Sequence, residues 1–253
     1  MKNNLLYHFS DIHLKSIERH LGAYLKDKRP ERLHKLRIDI KKIRSVFHFV
    51  EKTNKKKYPD NVLNPVFQNV GKLRELQIGI RLLNKLSHPP QKLITRLKKK
   101  EDVLKKQLIK LIPYYSKTVK SFRKEVILPS KFPNKKKTKT FFKKAITSAD
   151  KILLNNDRRS VHHFRMKIKK IMYVYNILPH KLHKEIKLNT SEITKLQSKI
   201  GKWHDHYSAL NFLRRQHFSG QISKYIAILK EKENRQFFSL IIDLQTMGGI
   251  SKR

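Results

Sequence analysis

The sequence contains no cysteine, which excludes disulfide bonds, thiolate catalysis and cysteine-based zinc sites. Glycine and proline are scarce, with 7 and 9 among 253 residues, and strand-like alternation of apolar and polar residues is absent. Apolar residues instead recur with the period of about 3.6 that places them on one face of a helix. The sequence therefore predicts an all-α protein.

Long apolar runs are also missing. None approaches the ~20 residues that a transmembrane helix requires. Residues 1–7 are a poor signal peptide, because one early lysine precedes an apolar run that His8 and Asp11 soon interrupt. We therefore expect a soluble cytoplasmic protein.

Acidic residues are few: 19 Asp and Glu stand against 60 Lys and Arg, for a formal net charge of +41. Such a charge repels itself and opposes the compact state unless an anion binds. The expected partner is thus nucleic acid, another polyanion or an anionic membrane surface.

A pattern of apolar and basic residues occurs twice, at residues 33–44 and 161–172. Read as a helix, it places positions i, i+3, i+7 and i+10 in one basic stripe beside an apolar stripe. A basic stripe next to a buried one borders the core, where a groove or pore between packed helices is lined. The N-terminal basic row comprises His34, Arg37, Lys41 and Arg44, and the C-terminal basic row comprises His162, Arg165 and Lys169.

An ordinary solvated helix face is the competing interpretation of each basic row. Two observations favour a site: arginine and histidine hold several of the positions, and the spacing recurs in an otherwise divergent copy. The basic pair Lys42 and Lys170 and four apolar pairs are matched as well. The apolar pairs are Leu33/Val161, Leu36/Phe164, Ile40/Ile168 and Ile43/Ile171.

The rest of the chain predicts two similar halves, each of four helices, forming two bundles related by a pseudo-twofold. The halves span residues 1–128 and 140–253, joined by a basic linker at 129–139. A break is predicted at Ser219 and Gly220, and Pro113 is expected to interrupt a helix. The predicted helices cover residues 5–25, 30–54, 65–86, 93–111, 114–126, 140–154, the second motif up to 179, 191–216 and 222–244.

The third helices of the two halves also correspond. The stretch 71–75, Gly-Lys-Leu-Arg-Glu, matches the stretch 201–205, Gly-Lys-Trp-His-Asp. Each places an acid directly after a basic residue, although acids are scarce in this chain.

With these motifs together, the sequence resembles the CHAD family, the conserved histidine α-helical domain. Each half of that family opens with His-x-x-Arg-x-x-x-basic-basic-x-Arg and later carries a glycine followed by a basic or amide residue and an acid. The resemblance implies two four-helix bundles around a basic cleft or pore. It further implies binding of inorganic polyphosphate without catalysis or a cofactor, and an association with polyphosphate granules.

The site that the resemblance implies is basic throughout. Arginines can place two donors on phosphate oxygens, whereas lysines act as mobile point charges. Glu75 and Asp205 would repel phosphate, so we expect them to hold arginines of the basic rows by hydrogen bonds; ordinary surface salt bridges are the alternative. The implied ligand contacts are His34, Arg37, Lys41, Lys42, Arg44, Arg74, His162, Arg165, Lys169 and Lys170.

Three departures from the family pattern affect the expected site. Met172 replaces the last arginine of the second motif, Glu75 stands where Asp is usual, and His204 stands where Asn or Arg is usual. We therefore expect the N-terminal basic row to carry more of the binding. The linker lysine Lys136 is expected to matter little.

Other functions stay open at this stage. A general nucleic-acid binder would explain the charge equally well, because phosphate contacts dominate its affinity too. An enzyme using His34 or His162 would need a carboxylate partner or a glycine-rich phosphate loop, and neither is evident. No metal site is predicted, because His204 and His206 point nearly opposite ways on a helix. The aromatic residues Trp203, Phe164 and Tyr175 are expected in the core rather than as base-stacking platforms.

Overall fold

The computed structural model describes residues 5–153, 155–215 and 223–247, which contain nine α-helices, one 3-10 turn and no strand. The all-α prediction is confirmed. The 3-10 turn covers Asn61–Leu63. The helices are α1 (Leu5–Asp27), α2 (Pro30–Asn54), α3 (Asn64–Leu83), α4 (Gln91–Glu125), α5 (Lys135–Leu153), α6 (Arg158–Tyr175), α7 (His180–Glu185), α8 (Thr190–Arg214) and α9 (Ser223–Met247).

Helices α2 and α6, which carry the two repeated motifs, pack against each other at the centre of the molecule. Helix α1 covers α2, and α5 covers α6 in the same way. A second pair, α3 and α8, also pack on each other, and each touches the motif helix of its own half. Four helices, two from each half, therefore meet around one interior.

The two halves are alike in most of their helix pairs but not in all. Helix α4 packs on both α1 and α3, and α9 packs on α8. In the described residues, however, α5 and α9 make no contact comparable to that of α1 with α4. Two equivalent four-helix bundles therefore stay a prediction.

The apolar stripes of both motifs form the core, as their spacing predicts. Leu33, Leu36, Ile40 and Ile43 are fully buried, and Val161, Phe164, Ile168 and Ile171 are nearly so. Burying a side chain of this size contributes roughly 1.5–3 kcal/mol. Because these stripes face the core, the basic rows beside them are held at its edge.

Helix α2 also carries one buried acid, Asp39, on the side that faces α1. Asp39 is buried there and accepts a hydrogen bond from His13 Nδ1 at 2.8 Å, while His20 Nε2 lies 3.8 Å from the other carboxylate oxygen. The carboxylate of Asp39 thus contacts histidines of α1 and none of the cations of the basic row.

The prediction that Pro113 separates two helices is wrong. Helix α4 runs without a break from Gln91 to Glu125 with Pro113 inside it. An interior proline costs about 3 kcal/mol, but Pro113 itself is exposed while Leu108, Ile112 and Tyr115 pack into the core. Packing of that face outweighs the lost hydrogen bond.

The helix predicted at residues 140–154 begins earlier in the structure. Helix α5 begins at Lys135, within the predicted linker, and the backbone N–H of Lys137 donates to Asn134 Oδ1 at 2.9 Å. Asn134 thus acts as the helix cap that the sequence interpretation overlooked. The short helix α7 was not predicted either, and α6 ends at Tyr175 rather than near Pro179.

Some predictions fall outside the described residues, namely the break at Ser219 and Gly220 and the end of the 191–216 helix at Gln216. Within the described ranges, no helix combines the length and the apolar character needed to cross a membrane.

Candidate anion-binding site

A cavity of about 690 Å³ lies where α2, α3, α6 and α8 meet. Both basic rows reach it, so the structure brings together residues that are far apart in the sequence. Seven of the ten predicted contact residues line it: Arg37, Lys41, Arg44, His162, Arg165, Lys169 and Lys170.

Lysines from the two halves face each other across this cavity. Burial, followed by the charges of Arg37 and Lys169, lowers the pKa of Lys41 to about 8. Burial and the charge of Arg165 lower the pKa of Lys169 to about 8 as well. Both lysines stay largely protonated at neutral pH, so cations are crowded together at the edge of the core.

These central cations lack carboxylate partners. In the described part of the chain, the side chains of Lys41, Arg165 and Lys169 have no hydrogen bond and no ion pair, and Arg165 Nε is buried without a partner. Asp205 offsets part of the charge of Arg165 and Lys169 without touching either. Unpaired charge at a half-buried position is costly, and an anion in the cavity would relieve that cost.

Arg37 is held in place by α3. Its guanidinium lies 3.9 Å from the centre of the Phe67 ring and donates to the Phe67 carbonyl oxygen. A methyl group at Gly71 would lie 2.5 Å from Arg37 Nη1, so the glycine leaves room for the guanidinium. Gly201 is less tightly covered, since a methyl group there would lie 3.7 Å from Arg165 Nη2. Each motif glycine therefore adjoins the motif arginine of its own half, a contact that local sequence patterns do not reveal.

Arg44 closes the same side of the cavity. It lies 4.7 Å from the Phe67 ring centre, donates to Asn64 Oδ1, and has Nε 3.4 Å from Asp60 Oδ2. Sequence reasoning missed Phe67, Asn64 and Asp60, because they belong to no repeated motif and only the close approach of α3 identifies them.

Two histidines stack within the cavity. The rings of His162 and His204 are 4.7 Å apart and inclined by 16°. Burial, followed by the charges of Arg165 and His162, lowers the pKa of His204 to about 3, and burial and His163 lower the pKa of His162. Both rings are therefore neutral at pH 7, and His162 Nδ1 is buried without a hydrogen-bond partner.

Three predicted contact residues do not line the cavity: His34, Lys42 and Arg74. His34 is exposed but stays close to the basic rows, since desolvation and then the charges of Arg74 and Lys169 lower its pKa. Nothing in the structure brings Lys42 to the cavity.

The two motif acids, Glu75 and Asp205, were expected to hold arginines of the basic rows by hydrogen bonds. In the structure they pair with other arginines. Asp205 accepts a hydrogen bond from Arg81 Nη2 at 2.7 Å, and Glu75 lies 3.7 Å from Arg215 Nη2. Both pairs join α3 to α8 in antiparallel register. The side chains are substantially exposed, with 38% and 46% for the first pair and 51% and 66% for the second. Exposed pairs of this kind contribute roughly 0–1 kcal/mol.

The predicted core aromatics are buried, with Phe164, Tyr175 and Trp203 at 0%, 9% and 1% exposure. Trp203 Nε1 donates to the buried Glu233 carboxylate at 2.6 Å, and Arg158 Nε donates to the same carboxylate at 2.9 Å. Among the described residues, no group of three or more His, Asp or Glu is arranged to hold a metal ion.

Comparison with known proteins agrees with this architecture. A family model described as the CHAD domain matches residues 10–214. The crystal structure of the CHAD domain from the plant Ricinus communis is similar with a TM-score of 0.61 and 14% sequence identity, over 98% of this chain and 91% of that chain. At that identity the likeness shows a shared fold. No curated protein sequence matches the chain significantly.

Proposed function

The chain belongs to the CHAD-domain family, and we propose that it binds inorganic polyphosphate in the cavity between α2, α3, α6 and α8. In this proposal it acts as a non-catalytic scaffold or targeting module. The observation that carries the proposal is the meeting of Lys41, Arg165 and Lys169 without any carboxylate partner in the described residues. Cations left unpaired at the edge of a core are suited to an anionic ligand.

Polyphosphate matches the chemistry of this cavity. It is a flexible chain with roughly one negative charge per phosphate and no bases, so it needs many donors along a line and no groups that read bases. The two basic rows supply such a line from opposite sides. Arg37, already oriented by Phe67 and Gly71, can place two donors on one phosphate.

Two aromatic rings of the cavity already have partners. Arg37 and Arg44 cover the ring of Phe67, and Tyr207 stacks on Trp203 with ring centres 5.2 Å apart. A base stacking on either of these covered ring faces would have to displace its partner.

Catalysis is not part of the proposal. In the described residues, neither His34 nor His162 has a carboxylate hydrogen-bonded to it, and the ring beside His162 is that of His204. Neither His34 nor His162 therefore has the oriented carboxylate partner expected of a histidine in acid–base or nucleophilic catalysis.

Competition between anions tests the proposal. Labelled polyphosphate is bound to the protein, and duplex DNA or RNA is added at equal total phosphate. We expect neither nucleic acid to displace it, and we expect no orthophosphate to be released on long incubation. Displacement at equal phosphate would support general nucleic-acid binding instead, and orthophosphate release that His162→Ala abolishes would indicate an enzyme.

A further inference from the structure

A second cavity, of about 950 Å³, lies between the C-terminal end of α2, the first half of α5, and α6. Among the residues that the structure describes, no acidic one lines it. We call it the lysine groove, and its basic side chains are Lys52, Lys55, Lys136, Lys137, Lys144, Lys167 and Lys170.

The lysines of this groove are almost all unpaired. Within the described chain, Lys167 donates to Ser148, and the other six side chains have no hydrogen bond or ion pair. Neighbouring lysines of α5 behave differently: Lys135 and Lys139 both contact Glu185, at 2.8 and 2.7 Å. Glu185 therefore neutralises lysines that do not line the groove, and the groove lysines keep their positive charge.

The start of α5 adds to the positive potential of the groove. The first turn of a helix carries about half a positive charge from its unpaired N–H groups, and acidic residues normally stabilise it. Here that turn holds three lysines, Lys135, Lys136 and Lys137, and no acid. An anion in the groove would offset both the helix dipole and the lysines.

The lysine groove adjoins the first cavity. His48 and Lys170 line both of them, so a flexible chain that passes these two side chains on leaving the first cavity would reach the second. The first cavity and the lysine groove differ, however, in the basic side chains that line them. The first cavity offers partly buried, oriented arginines, whereas exposed lysines supply most of the charge in the groove.

We propose that the lysine groove is a second segment of one extended site, occupied only by polyphosphate chains long enough to pass His48 and Lys170. This inference rests on the proposed function of the first cavity. Short chains fill the first cavity alone, and longer chains gain additional contacts that are electrostatic and strongly salt-dependent. The groove thereby makes the protein selective for chain length. The proposal also differs from the expectation that Lys136 matters little, because Lys136 lies in α5 and lines the groove.

The test compares two triple variants that remove the same charge. The groove variant carries Lys136→Gln, Lys137→Gln and Lys144→Gln. The control carries Lys99→Gln, Lys106→Gln and Lys110→Gln on α4, which lines neither cavity. All six side chains are exposed, so neither variant removes a core contact.

Binding is measured with tripolyphosphate and with linear polyphosphate of about one hundred units, across a range of salt concentrations. For the long chain, we expect the groove variant to lose about tenfold or more in affinity and to show a salt slope lower by about 2, as three lost phosphate contacts imply. For tripolyphosphate, both variants should match the wild-type protein within about twofold.

Two outcomes would overturn the inference. Equal losses of long-chain affinity in groove and control variants would mean diffuse attraction, and an equal loss of tripolyphosphate affinity in the groove variant would mean that the groove does not discriminate length. In either case, tripolyphosphate binding that Arg165→Ala weakens would leave the first cavity as the site, and only the inference about the lysine groove would fail. If the wild-type protein binds neither anion, the proposed function fails with it.

Discussion

The guanidinium of Arg37 occupies the space that a side chain at Gly71 would need, since a methyl group there would lie 2.5 Å from Nη1. The equivalent pair, Arg165 and Gly201, is looser at 3.7 Å. A glycine in the middle of a helix costs roughly 0.5–1 kcal/mol relative to alanine. Gly71 therefore makes α3 less stable than alanine would, but it leaves room for Arg37 beside the cavity.

We predict that Gly71→Ala weakens polyphosphate binding severalfold without destabilising the protein. The added methyl displaces Arg37 from Phe67, while alanine favours the helix. Binding affinity and the melting temperature are measured together. Gly201→Ala is the matched control, because its methyl makes an ordinary contact, and it should leave affinity nearly unchanged. Equal losses in both variants would show that the position of Arg37 is unimportant.

The lysines of the cavity predict how stability changes at alkaline pH. The folded pKa of Lys41 and Lys169 is about 8, against 10.5 as the usual value. The unfolded chain thus binds more protons between those values, and stability rises with pH across that range. One pKa unit corresponds to about 1.4 kcal/mol and two lysines are shifted, so the free energy of unfolding should rise by several kcal/mol.

Urea unfolding of the ligand-free protein at pH 7.5 and pH 10.5 measures this rise. General repulsion also falls as lysines lose their charge, so the informative quantity is the difference between variants. Lys169→Met should remove part of the rise, and Lys110→Met on α4 should not. If both variants keep the wild-type slope, the cavity lysines are not the cause.

A separate prediction concerns acid pH. The folded pKa of His204 is about 3, well below its usual 6.5, so folding is opposed once the ring must accept a proton. The free energy of unfolding is therefore unaffected by His204 above pH 6.5. It decreases as the pH falls from 6.5 towards 3, because the unfolded chain binds a proton that the folded ring does not accept. His204→Gln should reduce this loss, as followed by the denaturation midpoint at pH 7, 5 and 4. An unchanged pH dependence would contradict the buried, neutral state of the ring.

Asp205 should act against binding rather than support it. Its carboxylate offsets the positive charge of Arg165 and Lys169 without touching them, and its pair with Arg81 is exposed. We expect Asp205→Asn to tighten polyphosphate binding by a few fold and to change stability by less than about 1 kcal/mol. Asp243→Asn removes an equally exposed carboxylate that pairs with Lys199 on α8 and lines neither cavity, so it serves as the control. Weaker binding in Asp205→Asn would restore the positioning role first expected of this residue.

Local patterns in the sequence predicted much of this fold and site. The helical period identified the buried stripes around Leu36 and Phe164, and the spacing from Arg37 to Lys41 placed both on the side of α2 that lines the cavity. These properties depend on residues close together in one helix. They can be derived without knowing how helices pack.

Predictions that depend on packing between helices were less successful. The pairing of Glu75 with Arg215 and of Asp205 with Arg81 follows from the crossing of α3 and α8, which no local pattern reveals. Pro113 is tolerated because the rest of its helix is well packed. The lysine groove was missed for the same reason, since its residues come from three helices and share no motif.

The most direct test of the central claim compares two double variants by their affinity for long-chain polyphosphate at physiological salt. Lys41→Met with Lys169→Met removes the facing cations of the cavity, and Lys99→Met with Lys110→Met removes equal charge from α4. The account predicts a loss of about a hundredfold or more for the first variant, from two charge-assisted contacts, and less than about threefold for the second. Similar losses in the two variants would show that polyphosphate is attracted by net charge alone, and that the cavity is not its site.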